Sequence, residues 1–250
     1  MAGADPLPAP DHKAVYVQEM FGRIAHRYDL MNRLMTVGRD RAWRRYTVSQ
    51  AVTGLAPDRS AGRNEALRAL DVATGTGDLA FEVLRQRQDA QVVGLDFVPE
   101  MLSLAQHKAV GGSSMPELAA GDALRLPFPD GTFDVVVTGF ALRNVTSIPE
   151  AFAEMARVTR GGGRVACLEI AKPRLPIFRR LFHFYFYRVV PLIGSLITGQ
   201  RTAYTYLPHS LTAFLTPDEI AGVMRRTGWH EVWYRRLMLG TVAVHVGVRE

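Results

Sequence analysis

From Ala66 to Ala171 the sequence alternates short apolar runs with stretches of helical periodicity, and few folds accept that order. The runs ALRALDVA, QVVGLD, ELAAGD, FDVVVTGF and GRVACLEIA are interleaved with DLAFEVLRQR, PEMLSLAQHK and PEAFAEMARV. A strand, a helix and a further strand make a βαβ unit, and such units in series build a mostly parallel sheet with helices on both faces. The expected fold is therefore α/β and doubly wound. It forms a single domain over residues 12–250, because a chain of 250 residues leaves no room for two. The first ten residues hold three Pro and neither Lys nor Arg, unlike a secretory leader, and residues 1–11 are read as a disordered tail.

The flanks of this core are helical. Residues 12–54 read as two helices broken near Thr36–Gly38, expected to lid the open end of the sheet, with a polar connector over 55–66. Residues 172–215 read as a helical insertion. Its core, IFRRLFHFYFYRVVPLIGSLITG over 177–199, contains His183, Arg188 and Pro191. A membrane-spanning helix needs about 20 largely uncharged apolar residues, so this segment predicts a buried insertion or a cap that meets an apolar ligand or a membrane surface. Ser147/Glu150 and Thr216/Glu219 have capping-box spacing, and residues 229–248 predict a closing hairpin about Gly240.

The segment Asp71-Val72-Ala73-Thr74-Gly75-Thr76-Gly77-Asp78-Leu79-Ala80 ends a strand, turns on two glycines and opens a helix. Gly75-x-Gly77-x-x-Ala80 also fits a dinucleotide fingerprint, and Asp96, 19 residues after Gly77, stands where a ribose would be bound. Charge separates the two kinds of cofactor. A pyrophosphate would meet Asp71 and Asp78 at close range, whereas S-adenosylmethionine brings an ammonium and a sulfonium and no phosphate. Asp122, after the third strand, is placed to accept from an adenine amino group.

Net charge is +6 and the pI about 9.8. The cations are almost all Arg, with only Lys13, Lys108 and Lys172, and they fall in short clusters at 39–45, 174–188 and 235–236. No long basic tract marks a nucleic-acid partner. The single cysteine, Cys167, lies in an apolar run and is expected to be a buried thiol in a reducing, cytoplasmic setting. The histidines show no metal-ligand spacing.

Several segments together resemble the quinone C-methyltransferases of menaquinone and ubiquinone biosynthesis, within the class I methyltransferases. They are Tyr28-Asp29-Leu30-Met31-Asn32, Asp71–Ala80, Leu126–Asp130, Phe133-Asp134, Leu142-Arg143-Asn144-Val145-Thr146, Gly162-Gly163-Arg164, Leu168-Glu169, Lys172-Pro173 and Tyr204-x-Tyr206-Leu207. The resemblance implies a seven-stranded Rossmann-like sheet of order 3-2-1-4-5-7-6 with the last strand antiparallel. It implies S-adenosylmethionine as cofactor, bound through Thr76, Asp96, Asp122 and Ala123; the loop reading adds Asp71, Gly75 and Gly77, and Phe97 and Gly139 are further cofactor-side candidates. It also implies methylation of a ring carbon of a polyprenylated quinol, with Arg143, Asn144 and Tyr28 as catalytic candidates and Tyr28, Asn32 and Tyr204 on the substrate side; His209, where the family carries Glu, is a further substrate-side candidate. A bilayer-borne substrate carries the further expectation of peripheral membrane contact at the inner face, and a homodimer is compatible. The chain departs from the family pattern at Thr74, Gly139, Ala141, Gln200 and His209.

Overall fold

The computed structural model describes residues 12–55, 66–108, 114–212 and 214–250. The tail expected over 1–11 and most of the 55–66 connector lie outside the described residues. Seven strands, β1 (Arg68–Val72), β2 (Gln91–Asp96), β3 (Glu117–Ala120), β4 (Phe133–Gly139), β5 (Thr159–Ile170), β6 (Trp229–Leu237) and β7 (Val242–Arg249), form one sheet of order β3-β2-β1-β4-β5-β7-β6. Pairing is parallel from β3 through β5, and β7 runs antiparallel to both its neighbours.

Strand periodicity of two sorts the side chains onto two faces. Leu70, Val72, Val136, Val165 and Cys167 point into a core closed by α5 (Ile148–Val158) and α9 (Pro217–Arg226). Ala69, Val135, Val137, Ala166 and Leu168 point the other way, under α2 (Asp40–Val52) and α3 (Asp78–Gln86). The buried Trp229 indole N–H donates to the Phe152 carbonyl at 3.1 Å, tying β6 to α5. At Thr216 both bonds of the capping box form. At Ser147 the structure shows the half in which the hydroxyl accepts from the Glu150 N–H.

The amino-terminal pair breaks where expected: α1 (Lys13–Thr36) ends as Val37 and Gly38 turn left-handed, before α2 begins. Between β5 and α9 lie α6 (Pro176–Phe184), a π-helical turn over Tyr185–Val189, α7 (Val190–Thr198) and α8 (Arg201–Thr212). No described helix is long and apolar enough to cross a membrane. A π turn re-aims side chains and often marks a working position. Here Tyr185 and Phe186 face a cavity, and the Tyr185 hydroxyl donates to the Met35 carbonyl, joining the insertion to α1.

Candidate active site

In a doubly wound sheet, ligands enter at the carboxyl ends of the strands, where strand order reverses. Here the reversal falls between β1 and β4. α1 is strapped across it: Gln18 donates to the Phe97 carbonyl at 2.9 Å, and Lys13 donates to the Val145 carbonyl at 2.7 Å. Two cavities lie beneath.

The smaller, of about 110 Å³, is walled by Gly75, Asp96, Phe97, Asp122, Ala123 and Gly139 together with α1. The Asp96 carboxylate accepts from the Gly75 N–H at 2.7 Å and the Val98 N–H at 2.9 Å, while burial raises its pKa. Asp122 accepts from the Leu124 N–H. Gly75 has a φ of +56° and open space where a Cβ would stand, so the loop can lie close against a ligand. These groups suit an adenosyl cofactor: carboxylates for hydroxyl and amino donors, and a bare backbone for close approach.

Three residues expected on the cofactor side are not on this wall. Asp71 is fully buried, accepting from the Thr74 hydroxyl at 2.6 Å and the Ala80 N–H at 3.0 Å. Burial pushes its carboxyl up to about 7 against those two bonds. The Thr76 hydroxyl donates to Asp29 and accepts from Lys108. Gly77 caps α3 against Phe81. Asp78 is also engaged: although burial opposes it, Arg44 and Lys108 hold its carboxyl below the usual range. The charge argument drawn from Asp71 and Asp78 is therefore softened in the folded protein, and the acidic character of the cleft rests on Asp96 and Asp122. The departure at Thr74 has a local reason. Its side chain fits because residue 94 is glycine, whose Cβ would lie 2.9 Å from the Thr74 oxygen.

The larger cavity, of about 390 Å³, is lined mainly by apolar side chains of α1 and the insertion, among them Met20, Ile24, Met31, Phe178, Phe182 and Phe186. Phe21, Tyr28, Phe140 and Asn144 belong to both walls, so the two cavities meet there. Phe140, at the end of β4, holds a φ of +59°, a strained backbone of the kind concentrated at working sites.

The larger cavity also brings together Tyr28, Asn32, Arg143, Asn144 and Tyr204 from the expected set; the side chain of His209 lies outside the described residues. Tyr206 joins them. Of that Tyr-x-Tyr segment only Tyr204 was expected on the substrate side. Four buried polar atoms in this wall have no partner among the described residues: Asn32 Nδ2, Arg143 Nε, Asn144 Oδ1 and the Tyr206 hydroxyl. Arg143 itself is anchored behind the wall, Nη1 to Glu169 Oε2 at 3.3 Å.

A seven-stranded sheet of this order, with a carboxylate-walled cleft at its switch point opening onto an aromatic-lined chamber, is the architecture of a class I S-adenosylmethionine-dependent methyltransferase. The chain belongs to the ubiE/COQ5 methyltransferase family, which it matches over residues 10–249. It is 48% identical over 243 residues to the demethylmenaquinone methyltransferase of Roseiflexus castenholzii, covering 97% of each chain. It is 40% identical to the ubiquinone/menaquinone biosynthesis C-methyltransferase UbiE of Geobacter sp. strain M21, covering 96% of this chain and 99% of that one. A SAM-dependent methyltransferase of Thermotoga maritima shares the fold at 17% identity, with a TM-score of 0.62 over 93% of this chain and 99% of its own. The protein is an S-adenosylmethionine-dependent C-methyltransferase.

Proposed function

We propose that this enzyme methylates a ring carbon of a polyprenylated quinol, with demethylmenaquinol as the substrate. The observation that supports this reading is the chamber beside the cofactor cleft. It is apolar enough for an aromatic ring and an isoprenoid tail, and its buried, unpartnered polar atoms include donors and acceptors suited to phenolic hydroxyls. A buried polar atom left alone costs about 1–3 kcal/mol, which a hydroxylated ring would relieve.

S-Adenosylmethionine supplies an electrophilic methyl group for an in-line displacement that needs no metal. The protein's own task is to hold the ring carbon in line, make it nucleophilic and keep water out. Phe21, Tyr28 and Phe140 frame the junction and confine the ring. A ring carbon gains nucleophilicity as the neighbouring hydroxyl passes its proton to a water held at the Arg143–Asn144 edge. The carbon–methyl bond forms as the sulfur–methyl bond breaks to leave S-adenosylhomocysteine, and the ring C–H proton then leaves to water as the ring regains aromaticity. Arg143, a guanidinium that stays protonated at neutral pH, stabilises the phenolate, and Asn144 orients the same oxygen. Asn32 and Tyr206 take the ring's remaining polar edge.

Such a substrate resides in a bilayer, and the insertion presents a surface that suits one. Ile177, Leu181, Phe184, Leu192 and Leu196 are exposed along α6 and α7. Residues 172–215 contain six Lys and Arg and no Asp or Glu, which equals the whole +6 excess of the chain. Leu181 also lines the chamber. The occupant we assign to this face is an anionic membrane surface, with the chamber mouth beside it.

The direct test is transfer of labelled methyl to reduced demethylmenaquinone, with a demethylated ubiquinol precursor in parallel. Product from the naphthoquinol supports the assignment. Product from both assigns a dual-purpose enzyme. No product from either, with S-adenosylhomocysteine bound tightly, overturns the substrate and leaves the fold and cofactor in place.

A further inference from the structure

Arg143 follows β4 and Glu169 is the last residue but one of β5, and the two strands are neighbours. The Glu169 side chain is 1% exposed. Its Oε1 accepts from the Leu142 N–H at 2.7 Å, and its Oε2 faces Arg143 Nη1 and the Ile170 N–H, each at 3.3 Å. The carboxylate thus grips both the backbone just before Arg143 and the guanidinium itself. The opposite edge of that guanidinium, Nε, is buried in the chamber wall with no partner among the described residues.

A buried ion pair is a poor way to stabilise a fold. Both charges must be stripped of water, and apolar residues of similar volume often serve as well or better. What a carboxylate in this position does supply is direction. A guanidinium is a planar fork on a flexible stem, and fixing one of its edges fixes the other. Burial raises the Glu169 pKa above the ordinary carboxyl value, and the adjacent Arg143 offsets only part of that rise.

We infer that Glu169 is a positioning residue for methyl transfer: it touches no substrate, and it holds Arg143 so that the Nε edge faces the reacting ring. This rests on the role assigned to Arg143 above. When the hydroxyl beside the reacting carbon passes its proton to water, the guanidinium is already aligned with the oxygen, and no reorganisation delays the step.

Glu169→Gln separates this role from a purely structural one. It retains an oxygen to accept from the Leu142 N–H and removes the charge. Expected is a fall in kcat of roughly 10- to 100-fold, the cost of a misplaced catalytic group. KM and the dissociation constant for S-adenosylhomocysteine should stay within about twofold. In an Arg143→Met background, adding Glu169→Gln should lower kcat no further, because the carboxylate acts through the guanidinium. A wild-type kcat in Glu169→Gln, or losses that multiply in the double variant, would overturn the inference. Should Glu169→Gln lose S-adenosylhomocysteine binding through misfolding, Glu169→Asp carries the test. It keeps the charge, withdraws it by one methylene and is expected to lose kcat with cofactor affinity intact; a wild-type kcat there overturns the inference equally. Variants are compared on whichever quinol or phenol the wild-type enzyme methylates, so failure of the demethylmenaquinol assignment is read from the wild type and failure of the positioning role from the ratio.

Discussion

Asp71 offers the most quantitative check on the cofactor end of the fold. Its Oδ1 is buried without a partner among the described residues, and only its Oδ2 is bonded. Burial lifts its carboxyl from 3.8 to about 7. The folded protein therefore prefers the neutral acid, whereas the unfolded chain ionises near 3.8. Below that pH both states hold the proton and the residue contributes no difference. As pH rises towards 7 the unfolded state gives up its proton first, so stability is progressively lost, and above 7 the loss is complete. At about 1.36 kcal/mol per pKa unit, the gap amounts to about 4 kcal/mol. Asp71→Asn removes the titration while leaving an oxygen to accept from Thr74 and Ala80. Its buried amide adds a cost of its own, but that cost does not vary with pH. The difference in unfolding free energy between variant and wild type, from urea titrations at pH 4 to 8, should move by about 4 kcal/mol in favour of Asn as pH rises. A difference flat to within about 1 kcal/mol would mean that Asp71 is ionised in the fold and refute the argument. Calorimetry in buffers of different ionisation enthalpy supplies a second reading. A cation bound in the adjoining cleft favours the carboxylate, so S-adenosylmethionine binding to the wild type at pH 6 should release a proton that Asp71→Asn does not.

Two other perturbations address the chamber and the outer surface. At Gly194 a Cβ would stand 2.2–2.7 Å from the Tyr204 ring, which lines the chamber. Gly194→Ala therefore has to drive the ring inward or part α7 from α8, at an overpacking cost of about 1–3 kcal/mol. KM for the quinol should rise about tenfold or more with S-adenosylhomocysteine affinity unchanged, and an unchanged KM would show that the ring does not bound the substrate. Replacing Arg179, Arg180 and Phe184 together by Ser should release the protein from vesicles containing anionic lipid, read by flotation. Retained binding would remove the membrane assignment, and loss of a dimer by sedimentation in the absence of lipid would reassign the face to a second copy of the chain.

Where the sequence was decisive, a periodicity was at work. Strand and helix repeats placed the sheet, the break near Thr36–Gly38 placed the α1–α2 turn, and the charges and Pro191 within 177–199 made that stretch a poor candidate for a spanning helix. What stayed hidden was side-chain direction. Asp71 shares a strand face with Ala69 and so turns under α3 rather than into the cleft, which follows from β alternation only after the strand is anchored. Tyr206 was obscured by the opposite problem. Two residues apart on an exposed helix, one tyrosine would face solvent, but α8 packs against both α1 and α7 and both rings reach the chamber.

The link between Arg143 and Glu169 was the least legible, because it depends on the register between two strands, which periodicity within each strand does not fix. Gly139 pairs with Leu168 across β4 and β5. That single register brings the backbone leaving β4 beside the carboxylate near the end of β5. The loop over 140–144 then folds back, and its Leu142 N–H closes on Glu169. Asn32 reaches the same chamber from α1, one helical turn beyond Tyr28. Three short motifs, the first more than a hundred residues from the other two, thus acquire a common chemistry through one backbone register and one helix crossing. A register slip of a single residue would turn Glu169 to the other face of the sheet and leave Arg143 buried and unpaired, so the β4–β5 pairing is as much a part of the site as the residues that line it.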